Sequence, residues 1–348
     1  MASSTPPNGS TSIPKKPENG TDEMQETVSK YDEILSTLPT KDDWIFKNLV
    51  KYQNTWYIPD VLKGILLAQA HFSALPSDIF LATFGKFGTT WIKALTFTIM
   101  NRNRFEFERH PLLTMNPQQC FPFLEVFLFR SQDNIFVDIK RRYRSVSSPR
   151  VISVHTPCMH LPESVTRSGC RVVYVTRDPN DIFVSSWYHM QKARAKGRRE
   201  LTLEGSFDMF CEGVYQFGPY WEHVLGYHDA ATKSPQNVLI LRFEDIKENP
   251  FDSVRKLAKH LGYPFSLKEE RNGILEKTVN LCSFDHLSNL EVNKSGVQKF
   301  SSFNSIENHV FFRKGGTGDW KTHLTKEMAD RINHITKERF KGTGITHE

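Results

Sequence analysis

Thr83-Phe84-Gly85-Lys86-Phe87-Gly88-Thr89-Thr90-Trp91 leads from a short apolar run, through two glycines, into an amphipathic pattern. The run before it, Asp78 to Phe84, has the length and apolar content of a buried strand. Beyond it, Trp91, Leu95 and Ile99 fall on one helical stripe. A strand that turns through glycine into a helix offers unpaired backbone N–H groups and the positive end of a helix dipole to an anion. Lys86 adds a full charge, and Thr89 and Thr90 add hydroxyl donors. The segment reads as a phosphate cradle. The Walker A order Gly-x-x-x-x-Gly-Lys-[Ser/Thr] is absent, and taken alone the turn also fits a plain structural role.

Working outward, three further apolar runs read as buried strands: Arg150 to Val154, Arg171 to Val175 and Val238 to Phe243. Helical patterns lie between and after them. Phe207, Phe210, Val214, Trp221 and Leu225 mark one longer helical segment. Asn249-Pro250 is a cap and first-turn signal, Val254, Leu257 and Leu261 make a buried face, and Gly262 ends that helix. This alternation predicts an α/β single domain, with a mainly parallel central sheet flanked by helices and a P-loop-like phosphate-binding loop. Ligands are then expected beyond the carboxyl ends of the strands. Residues 1–25, rich in Ser, Thr, Pro, Asn and Gly, read as a disordered tail, and 26–348 as the domain.

The 348 residues are 39% hydrophobic and 24% charged, which excludes a wholly disordered chain. A net charge of +6 suits an anionic small ligand and falls short of the basic footprint of a nucleic-acid binder. No apolar stretch has the length of a membrane span, and the N-terminus lacks a signal-peptide core, so neither membrane nor secretion is expected. Cys120, Cys158, Cys170, Cys211 and Cys282 have no metal-ligand or Cys-x-x-Cys spacing; they read as reduced thiols in a cytoplasmic protein.

The residues Lys86, Gly88, Thr89, Thr90 and Trp91 resemble the Tyr-Pro-Lys-Ser/Thr-Gly-Thr-Thr-Trp loop of the cytosolic sulfotransferases, with Gly85 in place of Pro and Phe87 in place of Ser or Thr. Arg177-Asp178-Pro179-Asn180-Asp181, with Ser185 eight residues after the arginine, resembles the family's segment for the 3′-phosphate of its donor. Arg313-Lys314-Gly315-Gly316-Thr317-Gly318-Asp319-Trp320 resembles its C-terminal Arg-Lys-Gly-x-x-Gly-Asp-Trp loop. The segments 207–227 and 281–294 are similar to the plant branch, and the likeness runs from about Tyr31 to Phe340. The dimerisation stretch Lys-x-x-x-Thr-Val-x-x-x-Glu of animal members is not visible, so the oligomeric state stays open.

The resemblance implies 3′-phosphoadenosine 5′-phosphosulfate (PAPS) as co-substrate. Its contacts would be Lys86, Phe87, Gly88, Thr89, Thr90, Trp91, Arg177, Ser185, Phe243, Cys282, Ser283, Phe284, Arg313, Lys314 and Gly315. Trp91, Phe243 and Phe284 would surround the adenine, although core packing is the alternative for each. Two anion clamps far apart in sequence suit a nucleotide with phosphates at both ends of its ribose. Ser153-Val154-His155-Thr156-Pro157 resembles the family's Thr-His-Leu-Pro, which implies His155 as general base, and Lys86 would neutralise charge on the leaving phosphate.

No carboxylate cluster for a divalent ion is evident, and no metal is expected. The resemblance implies as partner a small, largely apolar, hydroxylated plant metabolite such as a flavonoid, hydroxyjasmonate or steroid; Phe121 to Phe129 either line its pocket or pack the core. The basic run Lys192 to Arg199 is either a solvated loop or a lid favouring anionic ligands. Two other readings stand beside this one: a nucleotide-binding relative that Gly85 and Phe87 have impaired, and a nucleic-acid-binding protein.

Overall fold

The computed structural model describes residues 29–42, 48–126, 149–193, 202–299 and 305–345. The tail expected over 1–25, the end of the phenylalanine run beyond 126 and the basic run beyond 193 lie outside the described residues. The chain divides into Met1–Thr37 and Leu38–Glu348. In the first unit, residues 29–36 are helical.

The second unit opens with a small antiparallel sheet of β1 (Thr40–Lys41), β2 (Leu49–Tyr52) and β3 (Thr55–Tyr57). Its centre is a parallel sheet in the order β5 (Val151–Val154), β4 (Ile79–Thr83), β6 (Arg171–Thr176), β7 (Val238–Arg242). These are the four expected strands, each within a residue or two of its predicted bounds. Every residue of β4 and β5 is buried, as continuous apolar runs require when both faces of a parallel sheet are covered. At the amino end of β4, the fully buried Asp78 carboxylate accepts from Arg150 Nε at 2.7 Å, tying the starts of β4 and β5 together.

Chain order and spatial order disagree at β4. The connection out of β4 runs to one side, to β5, and the chain then crosses to β6 on the other side. The reversal opens a crevice at the carboxyl ends of β4 and β6, where the register pairs Thr83 with Val175. The four strands therefore deliver residues 84–88, His155, Arg177 and Phe243 to one end of the sheet.

Helices α1 (Pro59–His71), α2 (Thr89–Asn101), α3 (Pro179–Ala193), α4 (Leu203–Cys211), α5 (Tyr220–Lys233), α6 (Pro250–Leu261), α7 (Phe284–Asn289) and α8 (Lys326–Phe340) concern the site or its support. Leu95 and Ile99 of α2 are buried as the stripe predicts. The longer segment expected from Phe207 to Leu225 is instead two helices, α4 and α5. Left-handed Gly213 at φ 76° closes α4, whose last carbonyls accept from the Gly213 and Val214 N–H groups, and α5 restarts only at Tyr220 after Pro219. Helix α6 buries Val254, Leu257 and Leu261 and ends on left-handed Gly262, as read from the sequence. Asn249 does occupy the position before Pro250, but its side chain makes no cap hydrogen bond; the proline alone starts the turn.

A second small sheet pairs β8 (Val297–Lys299) with β9 (Ser305–Glu307) before the C-terminal loop.

Candidate active site

The loop after β4 has two left-handed residues, Lys86 at φ 75° and Gly88 at φ 94°. Gly88 is needed there twice over: its φ suits glycine, and a Cβ would meet the Phe243 ring at 2.8 Å. Lysine rarely adopts such a φ, a conformation that persists only where its surroundings impose it. The loop then enters α2 at Thr89, whose Oγ1 lies 2.8 Å from Thr83 Oγ1, while Thr90 Oγ1 accepts from Gln118 Nε2 at 2.8 Å. The Phe87 side chain is fully buried away from the loop, packed on Phe84, Tyr174 and Tyr220. It serves the core, and only its backbone remains for a ligand.

Cations converge on this loop. Burial first, then Arg177 and Arg313, push the Lys86 ammonium down to about 7. Arg177 is buried, donates to the Gly316 carbonyl at 2.7 Å, and lies 4.4 Å from the centre of the Phe243 ring. Arg177 Nε and Arg313 Nε are buried without a hydrogen-bond partner. Unpaired buried donors are costly, and cations that depress one another are stabilised by an anion between them. Arg313 and Lys314 both reach Asp319, and the Arg313 guanidinium lies 5.1 Å from the Tyr188 ring.

Trp91 meets Phe243 edge-on at 5.4 Å, with Trp91 Nε1 buried and unpartnered. Phe284 instead packs on Gly315, where a Cβ would lie 2.2 Å from its ring; glycine is required by that approach. Ser185 is buried on α3. Ser283 Oγ caps α7 by accepting from the His286 N–H, and Cys282 is a buried thiol against Thr98, its pKa pushed up to about 12 by burial. The two side chains are thus engaged in the fold, unlike the free donors of Arg177 and Trp91.

His155 follows β5. Its Nδ1 is 2.6 Å from the Thr83 carbonyl oxygen, and a carbonyl only accepts, so Nδ1 carries the proton and Nε2 the lone pair. Burial lowers the imidazole to about 4, so it is neutral near pH 7. The His155 backbone N–H donates to Glu125 Oε1 at 2.7 Å, and its backbone carbonyl accepts from His223 Nε2 at 2.9 Å. Tyr174 in turn donates to His223 Nδ1 at 3.0 Å. The rings of Phe123 and Phe217 stand 4.6 and 5.5 Å from that of His155, giving it an apolar surround. Phe121, by contrast, is core.

Several participants were not singled out from the sequence. Asp181 is fully buried, 3.6 Å from Arg177 Nη2, and accepts from the Gly318 and Trp320 N–H groups at 2.7 and 3.2 Å. Its signal is the four-residue spacing from Arg177 across the start of α3. Glu125 is signalled by being a lone carboxylate in an apolar run; burial raises it to about 7. Lys93, on the otherwise apolar α2, is fully buried, donates to the Phe121 carbonyl at 2.9 Å and lies 3.8 Å from the Phe123 ring centre. His189 lies beside Lys86, and its signal is the four-residue spacing from Ser185 on α3.

Among the described residues there is no group of three or more His, Cys, Asp or Glu placed to hold a metal ion, and no helix long and apolar enough to cross a membrane.

A parallel sheet whose switch point carries an anion cradle, the buried Arg177, the partly buried Arg313 and a neutral histidine defines an α/β enzyme built for a polyanionic ligand. Residues 76–344 match the sulfotransferase domain. Cytosolic sulfotransferase 17 of Arabidopsis thaliana is 40% identical over 325 residues, covering 93% of this chain and 92% of that protein. Flavonol 3-sulfotransferase of Flaveria bidentis is 41% identical over 317 residues, covering 90% and 99%. The crystal structure of an Arabidopsis thaliana putative steroid sulphotransferase aligns with TM-score 0.71 at 32% identity, over 97% of this chain and all of that one. The chain belongs to the sulfotransferase family, among its plant cytosolic members.

Proposed function

We propose that the chain transfers the sulfuryl group of PAPS to the hydroxyl of a small, largely apolar plant metabolite, such as a flavonoid, hydroxyjasmonate or steroid, in the cytoplasm. The observation that carries this reading is the pairing of a neutral His155, lone pair on Nε2, with a loop where Lys86, Arg177 and Arg313 crowd one another. The cations call for a ligand with anionic groups at two points, and the apolar Phe123 and Phe217 beside His155 suit an apolar acceptor.

In this mechanism the free Nε2 of His155 takes the acceptor hydroxyl proton as that oxygen bonds to sulfur. The bond from sulfur to the bridging oxygen breaks, and its electron pair leaves with the nucleotide phosphate. Lys86 neutralises that charge, as positioned cations do in phosphoryl transfer. Arg177, Ser185, Arg313, Lys314 and the Gly315 backbone hold the 3′-phosphate; Trp91, Phe243 and Phe284 hold the adenine. The Thr83 carbonyl keeps the imidazole in one tautomer, and Glu125 and His223 hold the His155 backbone in place, so no base has to be recruited during the reaction.

Incubation with labelled PAPS and a panel of hydroxylated plant metabolites, read by mass spectrometry, tests the reading. A sulfated product from at least one panel class is expected. Nucleotide binding with no product from any class would count against catalysis; no nucleotide binding at all would count against the site itself.

A further inference from the structure

We propose that His189 is a positioning residue that holds the Lys86 ammonium in the donor site through the lone pair of its Nδ1. The inference rests on the role given to Lys86 above. His189 follows Asp181 and Ser185 at four-residue intervals on α3, so all three share one helix face, and all three are buried. The first secures the C-terminal loop, and the third meets the phosphate loop: His189 Nδ1 is 3.3 Å from Lys86 Nζ.

Proton bookkeeping fixes the roles. An ammonium only donates, so Nδ1 accepts. With Nδ1 accepting, the one proton of the neutral imidazole is on Nε2. The ring thus has one available lone pair, and Lys86 is on it. Phe311 packs at 5.8 Å and limits ring rotation. Burial, then Lys86 and Lys192, hold His189 far below the ordinary histidine range, so it stays a neutral acceptor at working pH.

Lys86 needs such an acceptor. The charged groups that act on it are Arg177, from the end of β6, and Arg313, from the C-terminal loop, both repulsive; His155, after β5, is neutral. The carboxylates of Asp181 and Asp319 are engaged with those arginines. A neutral acceptor favours the charged form of the lysine without cancelling its charge, leaving an ammonium for the bridging oxygen of the donor. Loss of the acceptor lowers the Lys86 pKa, so the protonated, competent form disappears at lower pH.

The test is the pH dependence of kcat/KM for PAPS, which reports groups of the free enzyme, in the full-length wild type, His189→Phe and His189→Gln. Phenylalanine keeps the ring packing and removes the acceptor; glutamine keeps an acceptor and removes the ring. Losing a hydrogen bond to a charged group should lower kcat/KM roughly tenfold on the basic limb and move that limb down by about one pH unit in His189→Phe. His189→Gln should stay near wild type. A purely structural histidine gives the reverse order. Wild-type transfer with an unmoved basic limb in His189→Phe overturns the inference, as does a glutamine variant that matches the phenylalanine one. A wild type without transfer would sink the functional reading, and this inference with it.

Discussion

Asp181 Oδ2 accepts the Gly318 N–H at 2.7 Å, joining the first turn of α3 to the C-terminal Arg-Lys-Gly loop across 137 residues of sequence. The same carboxylate neutralises buried Arg177. One side chain therefore sets the distance between the two arginines of the proposed phosphate clamp. Asp181→Ala should take from buried Arg177 its nearest carboxylate, leaving it Glu244 and Asp178, and breaking such a buried pair typically costs up to about 3–5 kcal/mol. A lower Tm and weaker nucleotide binding are expected together; calorimetry and thermal melting check both, and unchanged nucleotide affinity would separate the loop from the site.

Arg177→Ala and Arg313→Ala should each weaken donor binding by about 1.5–3 kcal/mol, since each removes a charge-assisted contact. Lys314→Ala should cost less, because its side chain is 55% exposed against 17% for Arg313. Titration calorimetry with the donor nucleotide gives the ranking. Equal losses at 313 and 314 would contradict it.

The sequence alone suggests that Phe87→Ser, with Gly85→Pro, would bring the loop nearer the family pattern and tighten donor binding. Burial of Phe87 against Phe84, Tyr174 and Tyr220 argues otherwise. Phe87→Ser should destabilise the protein by about 3–5 kcal/mol, the usual cost of removing a core phenylalanine ring. Nucleotide affinity of the molecules that remain folded should change little. Denaturant melts and calorimetry separate the two effects, and a serine variant of wild-type stability would place Phe87 outside the core.

Burial lowers His110, His155 and His160 from 6.5 to about 4, and His223 to about 3. In each case the unfolded state binds the proton more readily. Below about pH 6.5 the unfolded chain takes up protons that the folded one refuses, so stability falls as pH drops, and the loss levels off once pH is below the folded values. Each such histidine adds up to about 1.4 kcal/mol per pH unit within that window. Glu125, raised to about 7, works in the opposite direction and offsets about one of the four, so denaturant melts between pH 7.5 and 4 should show a net decline; stability that rises across this range would contradict it.

The sheet was legible because parallel strands buried on both faces are unbroken apolar runs, as β4, β5 and β6 are, and the edge strand β7 keeps such a run although only Leu241 in it is buried. Lys86, Arg177 and His155 were legible because each ends a strand at the switch point, where topology gathers ligand-binding groups. The direction of a side chain within a loop is another matter. Phe87 and Lys86 are neighbours, and nothing in their order says which turns inward; the left-handed φ of Lys86 accompanies that choice. Cys282 and Ser283 match a family segment, yet their side chains satisfy the fold through Thr98 and the α7 cap. Asp181, Glu125 and His189 act through partners 30 to 137 residues away, and pairing across such distances appears only in the folded chain.

The central claim is that His155 serves as the base beside a separate nucleotide clamp. The most direct measurement is single-turnover transfer of label from PAPS to an accepted hydroxyl, run beside nucleotide calorimetry, for wild type and His155→Ala. The account predicts transfer slowed by about 10²–10⁴-fold, with nucleotide affinity kept within about tenfold. Transfer at near the wild-type rate in His155→Ala would contradict it.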